Sequence, residues 1–439
     1  MFKLVVLISL VFSLFSLYSE ERTLSFDEVV LKVISGNYQV LSKKYDVESS
    51  KFRAEKSRAS YYPALSADAS YMRQTGNPVP RPNTTLVKGM NDFDPENKSY
   101  NVYNFGISAR QLIYDFGRNS SNIDAADLSL KSELLDENII KSRLVELAYI
   151  RYASILTAYE MVGVAEKNRD SAKRHLAQAT SFFEAGSRPK IDMVRMESEL
   201  KNSEAALISA KSQLENFKAE LLNLCGENEW YDFSVTPVSE EIFNFEDSFD
   251  ANLQAALKKR EEIEQVKVKI ESAESSQKGA SRDFYPYLYG TANITEAGVK
   301  LDDLRWNWGA GILFSWPIFS GFSSYYASKE LNAKTESLKI GAKSIESSIK
   351  LEVFAAFSKV KESSARKEAL DAALSASKEA AMLADGRYKA GSSPLSELLD
   401  AETNLANAMA NSVRAQYELF LAKVRLETAR GLILEGIKK

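Results

Sequence analysis

Few residues of this 439-residue chain have side chains that could carry out chemistry. His175 is the only histidine. It stands among Lys173, Arg174 and Gln178 in a polar stretch, so we expect it on a solvated helix surface. Cys225 is the only cysteine, which excludes an internal disulfide and leaves no second thiol for redox or metal chemistry. The sequence also lacks a glycine-rich phosphate loop. These residue types therefore indicate neither an enzyme nor a bound cofactor.

The amino-terminal 19 residues have the composition of a secretory signal peptide. Lys3 precedes an apolar run from Leu4 to Tyr18, and Ser19 is followed by two glutamates. The alternative is a membrane anchor, but about 15 apolar residues are fewer than the ~20 needed to cross a bilayer. No cysteine follows the leader for a lipid anchor, and no later segment approaches 18 apolar residues in a row. We therefore expect a secreted chain without a transmembrane helix. Its net charge of −4 gives no reason to expect nucleic acid as a partner.

The second half of the chain repeats the first. Ser25-Phe26-Asp27 and Tyr62-Pro63 recur 223 residues later, as Ser248-Phe249-Asp250 and Tyr285-Pro286. Ala185-Gly186-Ser187-Arg188-Pro189 recurs 205 residues later, as Ala390-Gly391-Ser392-Ser393-Pro394. A spacing that holds and then shortens by 18 residues indicates two copies of one unit, with an insertion in the first copy. We assign the first repeat to 20–226, a linker to 227–247, the second repeat to 248–431 and a tail to 432–439.

Proline positions separate the helices of each repeat. Prolines are absent from 118–184 and 322–389, which predicts two uninterrupted helices, each about 100 Å long. Shorter helices are predicted at 25–62 and 190–226 in the first repeat, and at 248–285 and 395–431 in the second. Apolar residues recur at steps of three, four and eight, as at Ile140, Leu144, Leu147 and Ile155, a pattern typical of coiled-coil packing.

Two segments in each repeat alternate with period two, which predicts β-strands at 64–76, 99–114, 287–298 and 304–318. In the last strand, one face is apolar and carries Trp306, Trp308, Ile312, Phe314 and Trp316. The other face is small and polar, with residues such as Asn307, Gly309, Gly311 and Ser315. This pattern is typical of membrane β-barrel strands, apolar toward lipid and polar toward the lumen. A soluble hairpin packed on a core would alternate similarly and is the alternative.

Four strands are too few to close a barrel, and open strand edges are not tolerated in lipid. Several chains must therefore pool their strands if these hairpins enter a membrane. The first hairpin has a long loop at 77–98 with four prolines, while the second has a short one at 299–303. The difference in loop length explains nearly all of the 18-residue change in repeat spacing.

Together these features resemble the TolC-type outer-membrane efflux channels. The resemblance rests on the order of the elements and on four short segments, Phe183-Glu-Ala-Gly186, Tyr388-Lys-Ala-Gly391, Gln111-Leu-Ile-Tyr-Asp-Phe-Gly117 and Trp316-Pro-Ile-Phe-Ser-Gly321. It implies a mainly α fold with a membrane β-barrel contribution. A homotrimer would form one 12-stranded barrel in the outer membrane, continued by an α-helical tube in the periplasm.

The same resemblance implies an exit duct of a tripartite efflux or type I secretion system, without catalysis or cofactor. Its expected partners are a periplasmic adaptor (membrane fusion protein), an inner-membrane transporter of RND, ABC or MFS type, and outer-membrane lipid. A passive porin and a periplasmic or surface coiled-coil structural protein are the competing interpretations. Porins are nearly all strand, which disfavours the first of these for a chain so rich in predicted helix.

The resemblance also assigns roles to individual residues. It implies a periplasmic entrance lined by acids at Asp192, Glu397 and Asp400, and closing contacts at Tyr388 and Arg188. The family's arginine two residues after the second tip glycine is Ser393 here, so the closing network is expected to differ. The tips that face the adaptor would be formed by Gly186, Ser187, Pro189, Gly391, Ser392 and Pro394.

The expected role of the three acids also has a physical basis of its own. Threefold symmetry would turn each carboxylate into a ring of three, which concentrates cations in a narrow lumen. The alternative is that these acids stand early in their helices and interact with the helix dipole.

Overall fold

The computed structural model describes residues 22–75, 99–238 and 247–435. The predicted signal peptide at 1–19 and the predicted loop at 77–98 lie outside the described residues. The described chain contains eight α-helices, namely α1 (Phe26–Gly36), α2 (Tyr38–Arg58), α3 (Arg118–Glu184), α4 (Lys190–Leu224), α5 (Phe249–Lys259), α6 (Glu261–Ser281), α7 (Ser323–Lys389) and α8 (Leu395–Arg430). It also contains six strands, namely β1 (Arg22–Leu24), β2 (Ala64–Thr75), β3 (Ser99–Tyr114), β4 (Phe233–Val235), β5 (Tyr287–Gly298) and β6 (Arg305–Ser315).

The prediction of a mainly helical chain with a smaller β contribution is confirmed. The chain divides into two compact units. Unit 1 comprises the described parts of Met1–Asp46, Leu134–Gln265 and Ala342–Lys439, and unit 2 comprises those of Val47–Glu133 and Val266–Gly341. Within the ranges given above, no helix has both the length and the apolar character that crossing a membrane requires.

The predicted single helices at 25–62 and 248–285 are wrong, because each region is broken into two. The first break is at Asn37, whose backbone is extended. Its side-chain oxygen accepts a hydrogen bond from the Gln39 N–H (2.8 Å), and its amide donates to the Leu224 carbonyl at the end of α4 (2.8 Å). The second break is at Arg260, also extended, whose guanidinium pairs with Glu262 and Glu352. Short 3₁₀ turns at Ala59–Tyr61 and Arg282–Phe284 follow the second helix of each pair.

The ends of α4 and α8 fall just short of the predicted 226 and 431. Gly226 and Gly431 both have a φ of +75°, the left-handed conformation that commonly terminates a helix. Gly226 also lies in close backbone contact with Gly36 at the end of α1. A Cβ placed on Gly226 would come 2.2 Å from the Gly36 carbonyl oxygen, and one on Gly36 would come 2.5 Å from the Cys225 carbonyl oxygen. Two glycines therefore permit these helix ends to touch through their backbones.

The core of unit 1 is built around α1, α3 and α4. Phe26 stacks on Tyr149 with ring centroids 3.8 Å apart, and Val29, Val30 and Val33 are fully buried beside them. Cys225 is buried in the same cluster, and burial raises the pKa of its thiol to about 11. The cysteine is therefore a small apolar core residue rather than a reactive nucleophile.

A short parallel pairing of β1 with β4 closes one side of this core. Arg22, Thr23 and Leu24 pair with Phe233, Ser234 and Val235 in register. The Tyr152 hydroxyl lies 3.0 Å from the Leu24 carbonyl oxygen and 2.7 Å from the Thr236 carbonyl oxygen. The pairing was not predicted, because strands of three residues carry no readable periodicity. The segment 227–247, predicted as a linker, thus contains a strand.

Unit 2 contains a four-stranded antiparallel sheet in the order β2-β3-β5-β6. Its last strand ends at Ser315, so the predicted range 304–318 is too long. Pro317 has no backbone N–H to donate to a ladder. The Trp316 ring lies beyond the strand, and its Nε1 donates to the Phe284 carbonyl oxygen (3.1 Å).

Candidate functional site

The apolar face and the polar face predicted for the last strand continue across the whole sheet of unit 2, as the pairing register shows. Residues directly opposite one another in neighbouring strands point to the same face. One such row across all four strands consists of Ala67, Ile107, Ile294 and Trp308, and the next row consists of Ser66, Ser108, Asn293 and Gly309. In the polar row, the Ser66 and Ser108 hydroxyl oxygens are 2.8 Å apart. The apolar residues Ile107, Ile294, Trp308 and Ile312 are all exposed. A sheet that exposes one mostly apolar face, with Glu296 as a charged exception near its end, is suited to an apolar surrounding.

Two tight turns connect the paired long helices of unit 1. In the first, Gly186 has a φ of +67°, and the Ser187 N–H and hydroxyl both donate to the Phe182 carbonyl oxygen at 2.9 Å. In the second, Gly391 has a φ of +73°, and the Ser392 N–H (2.9 Å) and hydroxyl (3.0 Å) donate to the Arg387 carbonyl oxygen. Pro189 and Pro394 immediately precede α4 and α8. Both turns therefore close their helices with the same hydrogen-bond pattern.

Arg188 of the first turn contacts the second turn directly. Its guanidinium carbon lies 5.0 Å from the centroid of the Tyr388 ring, and its Nη2 donates to the Ser393 carbonyl oxygen (3.0 Å). Tyr388 is fully buried, and its ring also meets Phe182 edge to face at 5.9 Å. Burial raises the pKa of the Tyr388 phenol, the Asp192 carboxylate raises it further, and Arg188 lowers it. The arrangement brings Tyr388 and Arg188 together within one chain.

The three acids have different surroundings. Asp192 is buried in the first turn of α4, and its charge acts on Tyr388. Glu397, in the first turn of α8, forms an ion pair with Arg387 at 2.7 Å. Asp400 is exposed, lies beyond that first turn, and has no ion pair in the part of the chain that the structure describes. Asp192 and Glu397 thus have the first-turn positions that the helix-dipole alternative requires, and Asp400 does not.

Arg387 was not predicted. The resemblance places an arginine two residues after the second tip glycine, where this chain has Ser393, whereas Arg387 supplies a guanidinium from four residues before Gly391. Its position one residue before Tyr388 and ten before Glu397 was the available signal, since a tight turn brings such positions close together.

The expectation of a solvated His175 is wrong. Only 7% of the residue is exposed, because α3, α7 and α8 pack around it. Its Nε2 lies 3.0 Å from Glu402 Oε1 and 3.3 Å from the Ser171 hydroxyl oxygen. The sequence shows only the polar neighbours of His175 on its own helix, not the carboxylates that other helices bring to it.

Comparisons with known proteins place the chain in a family. The family model described as outer membrane efflux protein matches residues 31–227 and 252–432. A comparison with proteins of curated function gives no match. The chain belongs to the outer membrane efflux protein family, as the resemblance in its sequence indicated. It is an efflux channel of the outer membrane and not an enzyme. Membership of this family supports neither of the competing interpretations, a passive porin or a coiled-coil structural protein.

Solved structures share its fold at low sequence identity. The Campylobacter jejuni CmeC outer membrane channel superposes with a TM-score of 0.78 at 19% identity, covering 92% of this chain and 85% of that one. The outer membrane protein VceC from Vibrio cholerae gives 0.74 at 15% identity, covering 92% and 96%. The open-state MtrE outer membrane channel of Neisseria gonorrhoeae gives 0.70 at 19% identity, covering 93% and 89%.

Proposed function

We propose that three copies of this chain assemble into one exit duct, with their twelve strands closing a barrel in the outer membrane. The sheet of unit 2 is the observation that carries the proposal. One of its faces is mostly apolar, and β2 and β6 each have a partner on one side only within the described sheet. Unpaired strand edges are costly in lipid, so β6 of one copy would pair with β2 of the next.

The assembly can be tested on protein extracted from outer membranes with detergent. A trimer by native mass, whose migration on a gel changes with heating, would support the proposal. A monomer recovered from the soluble periplasmic fraction would overturn it and favour the coiled-coil interpretation.

The proposed trimer is built from two repeats in each chain. Equal element lengths support the duplication, since α1 and α5 have 11 residues each, α2 and α6 have 21, and α3 and α7 have 67. The turns at Gly186 and Gly391 would then form six similar tips at the periplasmic entrance, where a periplasmic adaptor docks. An inner-membrane transporter of a tripartite efflux or type I secretion system would supply the substrate.

Gly391→Val is expected to reduce adaptor binding while leaving the trimer nearly intact. A Cβ at Gly391 meets no atom within 4 Å, so the cost comes from its φ of +73°, which a β-branched side chain disfavours. Crosslinking from position 392 to the adaptor should fall severalfold. Gly386→Val, in the same open surroundings but inside α7, and Gly391→Asn, which tolerates this φ, should crosslink normally. Undiminished crosslinking in the Gly391→Val protein would refute the tip assignment.

The acids near the tips would act as a charge filter at the entrance. Asp400 is the one that the structure leaves exposed and unpaired, whereas Arg387 offsets the charge of Glu397. Three Asp400 carboxylates around one axis would attract cations most strongly at low ionic strength. Arg188 and Tyr388 would hold the two tips of each chain together in the closed state.

Reconstituted trimer is expected to be cation-selective, with selectivity that falls as pH drops and block by multivalent cations from the tip side. Asp400→Asn should weaken selectivity and block more than Glu397→Gln does, and the double variant should weaken both most. The measurement is the reversal potential across a salt gradient in planar bilayers. Unaltered selectivity and block in the double variant would assign these acids to the helix ends instead.

A further inference from the structure

His175 is a buried titratable group that neither the barrel nor the tips account for. It projects from α3 of the first helix pair toward α7 and α8 of the second pair, all within unit 1. It lies 11 residues before Gly186, about 16 Å along the helix. Asp385 and Glu402, its two acidic neighbours, are each about one helical turn from the buried tip residues Tyr388 and Leu398. His175, Asp385 and Glu402 therefore lie next to the buried side chains of the two tips, which we call the tip core.

The two ring nitrogens of His175 have unequal partners. Nε2 is within hydrogen-bond distance of Glu402, whereas Nδ1 lies 3.9 Å from Asp385 Oδ1. Both Nδ1 and that oxygen are buried without a hydrogen-bond partner. A neutral imidazole that donates from Nε2 presents its Nδ1 lone pair to a carboxylate, which leaves both atoms unsatisfied. A proton on Nδ1 would give this pair a donor and an acceptor, with a closure of about 1 Å.

Charged groups reach His175 from every element around it. Glu402 comes from α8 and Asp385 from α7, where Lys389 already pairs with the other Asp385 oxygen at 2.6 Å. Two cavities of about 420 and 410 Å³ flank the ring. Glu199 of α4 lines the first cavity, and the second is lined by Lys167 and Arg174 of α3 and by Lys378 of α7. The described residues contain no group of three or more His, Cys, Asp or Glu side chains that could hold a metal ion.

We propose that His175 is a pH-sensitive clasp between the two helix pairs of unit 1. In its protonated form it binds Glu402 and Asp385 at once and so ties α3 to both α7 and α8. In its neutral form it binds Glu402 alone. Histidine is the side chain whose charge ordinarily changes between pH 5 and 8, so the clasp tightens as the surroundings become acidic. The Lys389–Asp385 pair does not replace it, because both residues lie on α7.

The consequence for transport rests on the proposed function, in which the tips form the periplasmic entrance. Tying the helix pairs together beside the tip core would favour the closed entrance at acidic pH. Neutral pH would release α7 from α3 and favour opening. The clasp itself does not depend on this role, and the two can be tested separately.

Hydrogen exchange of the full-length trimer tests the clasp directly. After correction for intrinsic rates, amides at the end of α7 should exchange about 5-fold or more slowly at pH 5.5 than at pH 7.5. His175→Gln should remove the difference. Asp385→Asn should reduce it. Glu199→Gln, which removes a carboxylate from the first cavity, should retain it. Equal protection at both pH values in the unmodified chain, or an unchanged difference in His175→Gln, would overturn the proposal.

A second measurement needs no variant. Because His175 is the only histidine, protein purified without a histidine tag and labelled with ¹³C-histidine gives a single imidazole signal. That signal should change between pH 5.5 and 7.5, together with the change in amide exchange. A signal that does not titrate in this range would also overturn the clasp.

Single-channel recording then tests the link to transport. The open probability of the unmodified trimer should fall about 5-fold or more from pH 7.5 to 5.5, and that of His175→Gln should stay constant. A pH-dependent exchange without a change in open probability would leave the clasp standing and reject the tips as the entrance. Conducting trimers without pH-dependent exchange would reject the clasp alone.

Discussion

Arginine at Ile312 or Phe314 is expected to remove most of the folded trimer from the outer membrane, whereas arginine at Asn307 or Ser315 should leave most of it. All four positions lie on β6, but the first two belong to the apolar face of the sheet and the last two to the polar face. An arginine facing lipid near mid-bilayer costs about 2–4 kcal/mol per copy, and a trimer would incur that cost three times. On the polar face the same side chain would remain in water.

The depth of each β6 residue in the membrane provides an internal control for this prediction. Glu296 already lies on the apolar face, paired directly opposite Trp306 near the end of the strand. A charge is tolerated there if that end lies at the membrane surface, so Trp306→Arg should be milder than Ile312→Arg. The measurement is the fraction of heat-modifiable trimer in outer membranes at equal synthesis. Equal losses from both faces of β6 would refute the assignment of the apolar face to lipid.

Gly226→Ala is expected to be among the most destabilising single-methyl additions in unit 1. The new Cβ would meet the Gly36 carbonyl oxygen at 2.2 Å, and both contacting groups are backbone that cannot rotate away. The φ of +75° adds the usual cost of a left-handed conformation for a non-glycine residue. Strain and overpacking together amount to about 2–5 kcal/mol.

Substitutions at two other glycines separate the cost of the positive φ from the cost of overpacking. Gly186→Ala has a similar φ of +67° but no atom within 4 Å of its Cβ, so it should cost only about 1–2 kcal/mol. Gly163→Ala lies inside α3 in open space and should stabilise the helix by about 0.5–1 kcal/mol. Thermal unfolding followed by circular dichroism at one heating rate ranks the three variants. A Gly226→Ala protein no less stable than Gly186→Ala would contradict the close backbone contact.

Much of the architecture could be predicted from the sequence because the patterns that indicate it extend over many residues. Proline-free stretches and alternating apolar residues extend over many positions, so single exceptions do not hide them. The breaks at Asn37 and Arg260 could not be read. Neither is glycine or proline, and each is fixed by partners distant in sequence, such as Leu224 for Asn37 and Glu352 for Arg260.

The candidate site was harder to predict from the sequence for the same reason. The resemblance to the TolC-type channels pointed to Tyr388, Arg188 and the three acids, but ion pairing decides which of their charges remain free. Arg387 offsets Glu397, and only the tertiary structure reveals that contact. The surroundings of His175 were predicted wrongly because Lys173, Arg174 and Gln178 describe only its own helix. Its environment is made by two other helices.

The β1–β4 pairing constrains the order in which the chain can fold. Thr23 and Ser234 are partners separated by 211 residues, and the Tyr152 hydroxyl contacts β1 and Thr236, the residue that follows β4. Closing so long a loop early would cost much entropy, while the helical hairpin of α3 and α4 needs only local contacts. The first strand must therefore wait until residue 235 has been exported. During that interval β1 lacks its strand partner, so we expect the amino-terminal segment of the emerging chain to be open to proteases.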